Sequence, residues 1–398
     1  MLREMRIIKK IAIILVISIL ISGVSGCWNN VDLADMAIAI SIGLDICEEN
    51  KDLIQVTVQL VKPGVIRAKS EGSDANPVWV FTAKGKTVFS AVRNLLKTVN
   101  RKVFFNHVQL IIIGEELAEK GIKDIVDFFE RDHETNRQSH VLITKGVKAK
   151  QILTSKSQVG DIPGLYIVQI IKNNGSLAKM KVIKMYQLIQ ILNIPGYNSL
   201  VGRIQVAPKQ RGKKFSLKDI EVEGAGILED GKLVGWLGPI ETRGYLFAKG
   251  EVKSGIINTA NPFLPEKKVG FEIVRSSGNL SAEIEKGKLG FRIEVDAEGR
   301  LGDQQGPGDL ASSELIEKLE TEVEKVIEKN IREAIEIAQN KYQNDFFGFA
   351  EKVQKNYYQF WEQTESEWKG VFSRTPVTID VNWKTRSTGI IKKTTEPK

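Results

Sequence analysis

An apolar run of 11 residues, Ile11 to Ile21, stands between a basic amino-terminal stretch and the small-residue sequence Ser22-Gly23-Val24-Ser25-Gly26-Cys27. That order is a secretory signal, and it is short of the roughly 20 apolar residues a membrane-spanning helix needs. Val24-Ser25-Gly26-Cys27 has the form of a bacterial lipobox, in which small residues admit the peptidase and the cysteine sulfur receives a diacylglycerol. Residues 1–26 are therefore expected to be a cleaved lipoprotein signal peptide and Cys27 the lipidated residue. Two or more acyl chains hold a protein firmly on a bilayer where one does not. The constraint on the fold follows directly. The chain has 2 cysteines, so with Cys27 committed to lipid only Cys47 remains, no internal disulfide can form, and packing alone must hold the structure. Cys47 is followed by Glu48 and Glu49, which disfavour a thiolate, so it reads as a passive residue at a strand end.

At 398 residues, with 42% hydrophobic and 27% charged residues, the chain is long enough for two or three folded domains and is neither disordered nor collagen-like. The net charge is +8, and the segment before Cys27 carries part of it through Arg3, Arg6, Lys9 and Lys10 against Glu4. The remaining charge is mild and mixed in sign along the chain. No nucleic-acid partner is expected; attraction to anionic lipid headgroups is a secondary effect.

Met36, Ile38, Ile40, Ile42 and Leu44 alternate with smaller residues, and Leu53 to Leu60 follows a polar turn, which predicts a β-hairpin. A strand at Val78 to Thr82, a helix through Val88 to Val99, an almost wholly apolar strand at His107 to Ile113, a helix through Leu117 to Phe129 and a strand at Ser139 to Thr144 follow. This alternation predicts a layered α/β domain with a mixed sheet over residues 27–205, closed by two helices between Leu165 and Leu192. Residues 206–310 read as an antiparallel, β-rich middle domain. Its strands are Glu221–Leu228 and Leu233–Leu237, joined through Asp230-Gly231, then Gly270–Ser276, Leu280–Glu285 and Leu289–Asp296, with Gly299 to Gly308 as a linker. Residues 311–398 read as a long helix capped by Ser312 or Ser313 and a returning strand from Thr375 to Trp383, and the last two domains are also readable as one unit. The fold class expected is thus multi-domain α+β.

The search for chemistry yields little. Gly226 to Lys232 fits the start of a phosphate-binding loop, but Leu233 stands where Ser or Thr would hold magnesium, and the segment crosses a hairpin. His107, His133 and His140 have no metal-ligand spacing, and no nucleophile elbow or dinucleotide fingerprint occurs. No catalytic residue, cofactor or metal is expected. Ten aromatic residues lie between Tyr342 and Phe372, a density that reads as internal packing ahead of a partner surface. The Gly235 to Tyr245 loop, around Pro239, supplies the candidate partner contacts Trp236, Arg243 and Tyr245.

Four segments carry a resemblance: Cys27-Trp28-Asn-Asn-Val-Asp32-Leu33, Asn106-His-Val-Gln-Leu-Ile-Ile-Ile-Gly-Glu115, Gly235-Trp-Leu-Gly-Pro-Ile-Glu-Thr-Arg-Gly244 and Ala338-Gln-Asn-Lys-Tyr-Gln-Asn-Asp345-Phe-Phe-Gly348, with Trp361 and Trp368 beyond. In this order they resemble the Ger(x)C family, the C-subunit lipoproteins of spore germinant receptors. Departures from the family pattern, at Asn29, Asp32 and Ala350, remove no catalytic residue. The resemblance implies a non-enzymatic α+β subunit tethered by Cys27 to the outer leaflet of the inner spore membrane of a Gram-positive spore former. There it would sit beside two integral-membrane receptor subunits and help nutrients trigger germination. The competing reading, a solute-binding lipoprotein feeding a transporter, needs two lobes of repeated βα units, which the region after Lys214 does not offer. A surface hydrolase lacks any nucleophile and base.

Overall fold

A computed structural model describes residues 2–23, 36–61, 78–155, 162–173, 175, 177–194, 198–207, 213–306, 310 and 312–387. The first helix, α1 (Leu2–Gly23), leaves its large apolar side chains from Ile7 to Ile17 between 49 and 66% exposed. Cys27 lies outside the described residues. The chain then builds a mixed sheet from β1 (Met36–Ile46), β2 (Ile54–Val61), β3 (Val78–Gly85), β4 (Lys102–Phe104), β5 (Leu110–Ile113), β6 (His140–Lys145), β7 (Ser199–Val206), β8 (Ile220–Glu229) and β9 (Lys232–Leu237). The order is β3-β2-β1-β5-β6-β7-β8-β9, with β4 also on β1. Neighbours from β1 through β5 and β6 to β7 run parallel, and the outer pairs run antiparallel.

Helices cover both faces. On one side lie α2 (Val88–Leu95), α3 (Glu115–Lys120), α4 (Lys123–Arg131) and α7 (Met185–Leu192); on the other lie α5 (Ala149–Leu153) and α6 (Pro163–Asn173). The run Leu110-Ile-Ile-Ile113 shows why that strand has no polar face. Ile111 and Ile113 enter the first core, Leu110 and Ile112 the second, and all four are fully buried.

A second sheet has the order β10 (Gly255–Ala260), β11 (Lys268–Glu285), β12 (Lys288–Gln304), β13 (Val377–Ser387). Between the sheets sits α8 (Pro239–Ala248). The long helix α9 (Ser313–Glu336), capped at Ser312, packs on α8 and on the second sheet through Leu319, Val323, Ile327 and Ile331. It ends in a π-helical turn, Ile337–Tyr342, and short helices α10 (Phe349–Asn356), α11 (Tyr358–Thr364) and α12 (Trp368–Arg374) lead into β13.

Three sequence expectations need correction. The antiparallel meander expected after Lys214 is divided between two sheets, because β8 pairs with β7 and the first sheet runs on to Leu237. β11 does not turn at Gly278. A Cβ there would lie 2.2 Å from the Phe247 carbonyl oxygen, so the glycine marks where the end of α8 presses on the strand, not a bend. The expected linker from Gly299 begins as strand, because Gly299 leaves room for the Trp383 ring 2.4 Å from its would-be Cβ. Strands 268–304 and 377–387 share one sheet and one core.

Candidate functional site

The decapeptide from Gly235 to Gly244 is the place where β9, α8 and α9 meet. Pro239 occupies the first turn of α8, where its missing N–H costs nothing and its fixed φ suits the helix, so it starts a helix instead of breaking one. The two end glycines are contact points. A Cβ on Gly235 would lie 2.1 Å from the Tyr342 ring, and one on Gly244 would lie 1.9 Å from the Asn330 carbonyl oxygen of α9. The motif is thus a clamp that seats the long helix.

The three expected partner contacts follow from this. Trp236 is half-buried; its Nε1 donates to Glu115 Oε1 at 3.2 Å, and Lys145 Nζ lies 5.3 Å over its ring. Arg243 is only 9% exposed and Tyr245 only 4%, so neither is free for a partner. α8 is buried nearly all round from Thr242 to Ala248, between the two sheets and α9, and polar-tipped side chains there turn inward. Arg243 donates from Nη1 to the Ile256 carbonyl at 3.3 Å while its Nε has no partner, and burial lowers its pKa. Tyr245 packs on Phe346 and Phe347 at 6.0 and 5.5 Å, with Lys181 Nζ 5.2 Å over its ring; burial, with Glu251 adding to it, pushes its pKa well up.

The aromatic segment is core. Phe346, Phe347, Phe349 and Phe372 are fully buried, with Phe349 stacked on Phe291 at 4.1 Å. Its organising residue is Asp345, whose weight the sequence did not reveal. The buried carboxylate accepts from the N–H groups of Gly348 (2.9 Å), Phe349 (3.1 Å) and Ala350 (2.7 Å) and from Trp368 Nε1 (3.2 Å). It satisfies the first turn of α10 and ties it to α12. Desolvation raises its pKa in spite of these donors.

The described residues hold no group of three or more His, Cys, Asp or Glu side chains able to take a metal ion. Cys47 is buried, and its thiol donates to Glu49 at 2.8 Å, which with Lys84 holds the Glu49 pKa at about 2. His140 has its pKa lowered by burial and by Lys184, with Nδ1 unpartnered. At the carboxyl ends of the parallel strands, where open α/β sheets place ligands, the cavity of about 250 Å³ is tied up internally. Asp45 accepts from Ala149 N and Lys150 N at 2.9 Å each, and Glu115 accepts from Gly146 N at 2.6 Å. A larger groove of about 610 Å³ runs between α2 and α4 over Phe89 and Phe128, with Arg131 paired to Asp127 on its rim. The apparent phosphate loop is a hairpin turn, with Asp230 and Gly231 both at positive φ, 50° and 77°.

Residues 29–206 match the spore germination protein N-terminal domain, and residues 223–389 match the spore germination B3/GerAC-like C-terminal domain. The chain belongs to the Ger(x)C family. It is 26% identical over 377 residues to spore germination protein B3 of Bacillus subtilis (strain 168), covering 92% of this chain and 95% of that protein. It is 23% identical to spore germination protein KC of the same organism over 96% of each chain. The crystal structure of the GerBC protein superposes with a TM-score of 0.54 over 87% of this chain and 96% of that one, at 20% identity, which shows the shared fold. The family membership connects the chain to spore germination. No helix among the described residues is long and apolar enough to cross a membrane.

Proposed function

We propose that this Ger(x)C protein is a non-enzymatic, lipid-anchored subunit of a membrane germinant receptor. Cys27 holds it on the outer face of the inner spore membrane beside two integral-membrane subunits, where it helps nutrients trigger germination. The observation that carries this reading is the match to both family domains, in order and over nearly the whole chain. Two others support it: the large apolar side chains of α1 from Ile7 to Ile17 are exposed, as suits a signal segment that packs on no part of the mature fold, and the carboxylate Asp45 in the cavity at the strand ends is taken up by backbone N–H groups. Cys27→Ala should move the protein from the membrane to the soluble fraction and abolish incorporation of labelled fatty acid. Label still incorporated by the variant would contradict the assignment. The purified full chain should also carry no stoichiometric metal, and one zinc per chain by elemental analysis would contradict the non-enzymatic reading.

A further inference from the structure

The anchor and the sheet together orient the protein. Nine Cα steps separate Cys27 from Met36, the first residue of β1, which is at most about 32 Å of extended chain. Met36 pairs with Lys102, and Ile38 pairs with Phe104 on one side and Val61 on the other. Val61 in turn pairs with Val78, and its neighbour Leu60 with Trp79. The end of the sheet closest to the anchor is therefore built from Trp79, Lys102 and Phe104. Two cation–aromatic pairs sit there: Arg101 Cζ lies 5.4 Å over the Trp79 ring, and Lys102 Nζ lies 5.2 Å over the Phe104 ring.

From Ala75 to Gly114 the sequence contains Lys84, Lys86, Arg93, Lys97, Arg101 and Lys102 and no Asp or Glu; of these, Lys84 lies at the far end of β3, while Arg101 and Lys102 lie at the anchor end. At the far end of the sheet bases and acids pair: Glu48 with Lys148, Glu49 with Lys84 and Glu116 with Lys51, at 2.5, 2.7 and 2.6 Å. At the anchor end, Arg101 and Lys102 have no carboxylate within 4 Å among the described residues.

Resting on the Cys27 anchor, we propose that this end of the first sheet lies against the anionic headgroups of the membrane that holds the lipid. Arg101 and Lys102 meet the headgroup phosphates, and Trp79 and Phe104 lie at headgroup level. Anionic leaflets attract each basic side chain that comes within a Debye length, about 8–10 Å, so local sign matters where the mild net charge does not. Aromatic rings favour the same interfacial zone, with an apolar body and a wet rim. The opposite end, with its acids paired, then faces away from the bilayer.

The test uses the full lipidated chain on vesicles that carry a headgroup quencher. Cys47 is buried, so a cysteine-reactive fluorophore placed by Asn100→Cys at the anchor end or by Glu119→Cys at the far end reports one position at a time. On vesicles of phosphatidylglycerol and phosphatidylcholine the probe at position 100 should be quenched well above the probe at 119. That difference should be lost in R101Q/K102Q, and lost at about 1 M salt, where the Debye length falls to about 3 Å. Equal quenching at the two positions, stronger quenching at 119, or a difference indifferent to phosphatidylglycerol or to R101Q/K102Q would overturn the orientation. A chain that fails to stay on vesicles of phosphatidylcholine alone would overturn the Cys27 anchor, and the orientation with it.

Discussion

Gly244→Val is expected to leave the protein unable to seat its long helix, with a loss of about 3 kcal/mol or more, the upper end for overpacking a tight core. The would-be Cβ meets backbone and not a movable side chain: Asn330 O at 1.9 Å, Asn330 C at 2.4 Å and Ile331 N at 2.8 Å. α8 and α9 must therefore separate, and the buried residues on both sides of the contact, Tyr245 and Phe247 on α8 and Ile327 and Ile331 on α9, lose packing together. Denaturant unfolding of the variant should show a much lower midpoint, or no cooperative transition. Gly290→Ala is the control, since nothing lies within 4 Å of its would-be Cβ, and it should change stability by less than about 0.5 kcal/mol. If Gly244→Val unfolds with the parent, the close approach of the two helices is wrong.

Asp345→Ala should cost on the order of 3 kcal/mol, because it takes the buried acceptor away from three backbone N–H groups and an indole N–H. The near-ultraviolet signal of Trp368 should weaken along with the unfolding midpoint. Asp345→Asn keeps one acceptor oxygen and should cost less. The pH dependence has a definite sign. Burial raises the Asp345 pKa above that of a free aspartate side chain, so the folded state binds this proton more tightly than the unfolded chain. Its proton-linked contribution is full below the unfolded pKa and declines as pH rises through the folded one, and this residue does not drive acid unfolding. A variant Asp345→Ala that melts with the parent would show that α10 is held some other way.

The layered first domain was legible because its signals are local. Leu110 to Ile113 has no polar face and is covered on two, and Asp230-Gly231 adopts the positive φ values its dipeptide demands. What could not be read depends on contacts distant in sequence. Nothing near β8 and β9 says that they extend the first sheet, since that is decided by pairing with β7. Gly278 and Gly299 gave the same local sign as turn glycines, yet each exists because a distant backbone or ring presses on the strand. Arg243 and Tyr245 have polar tips and read as surface, but α8 is buried from Thr242 to Ala248, and only the second sheet and α9 reveal that. The basic stretch from Ala75 to Gly114 is visible in the sequence but averages out over the whole chain; only the pairing of β4 with β1 shows that Arg101 and Lys102 lie beside the strand that follows Cys27.

The proposed receptor role is decided in the spore. The direct measurement is nutrient-triggered loss of optical density in spores that lack this protein and are complemented either with the parent chain or with Cys27→Ala. Deletion should abolish the response to at least one nutrient, the parent chain should restore it, and Cys27→Ala should fail to restore it although the soluble part still folds. Spores without the protein that respond to every nutrient at the parental rate, or full restoration by Cys27→Ala, would contradict a lipid-anchored subunit of a germinant receptor.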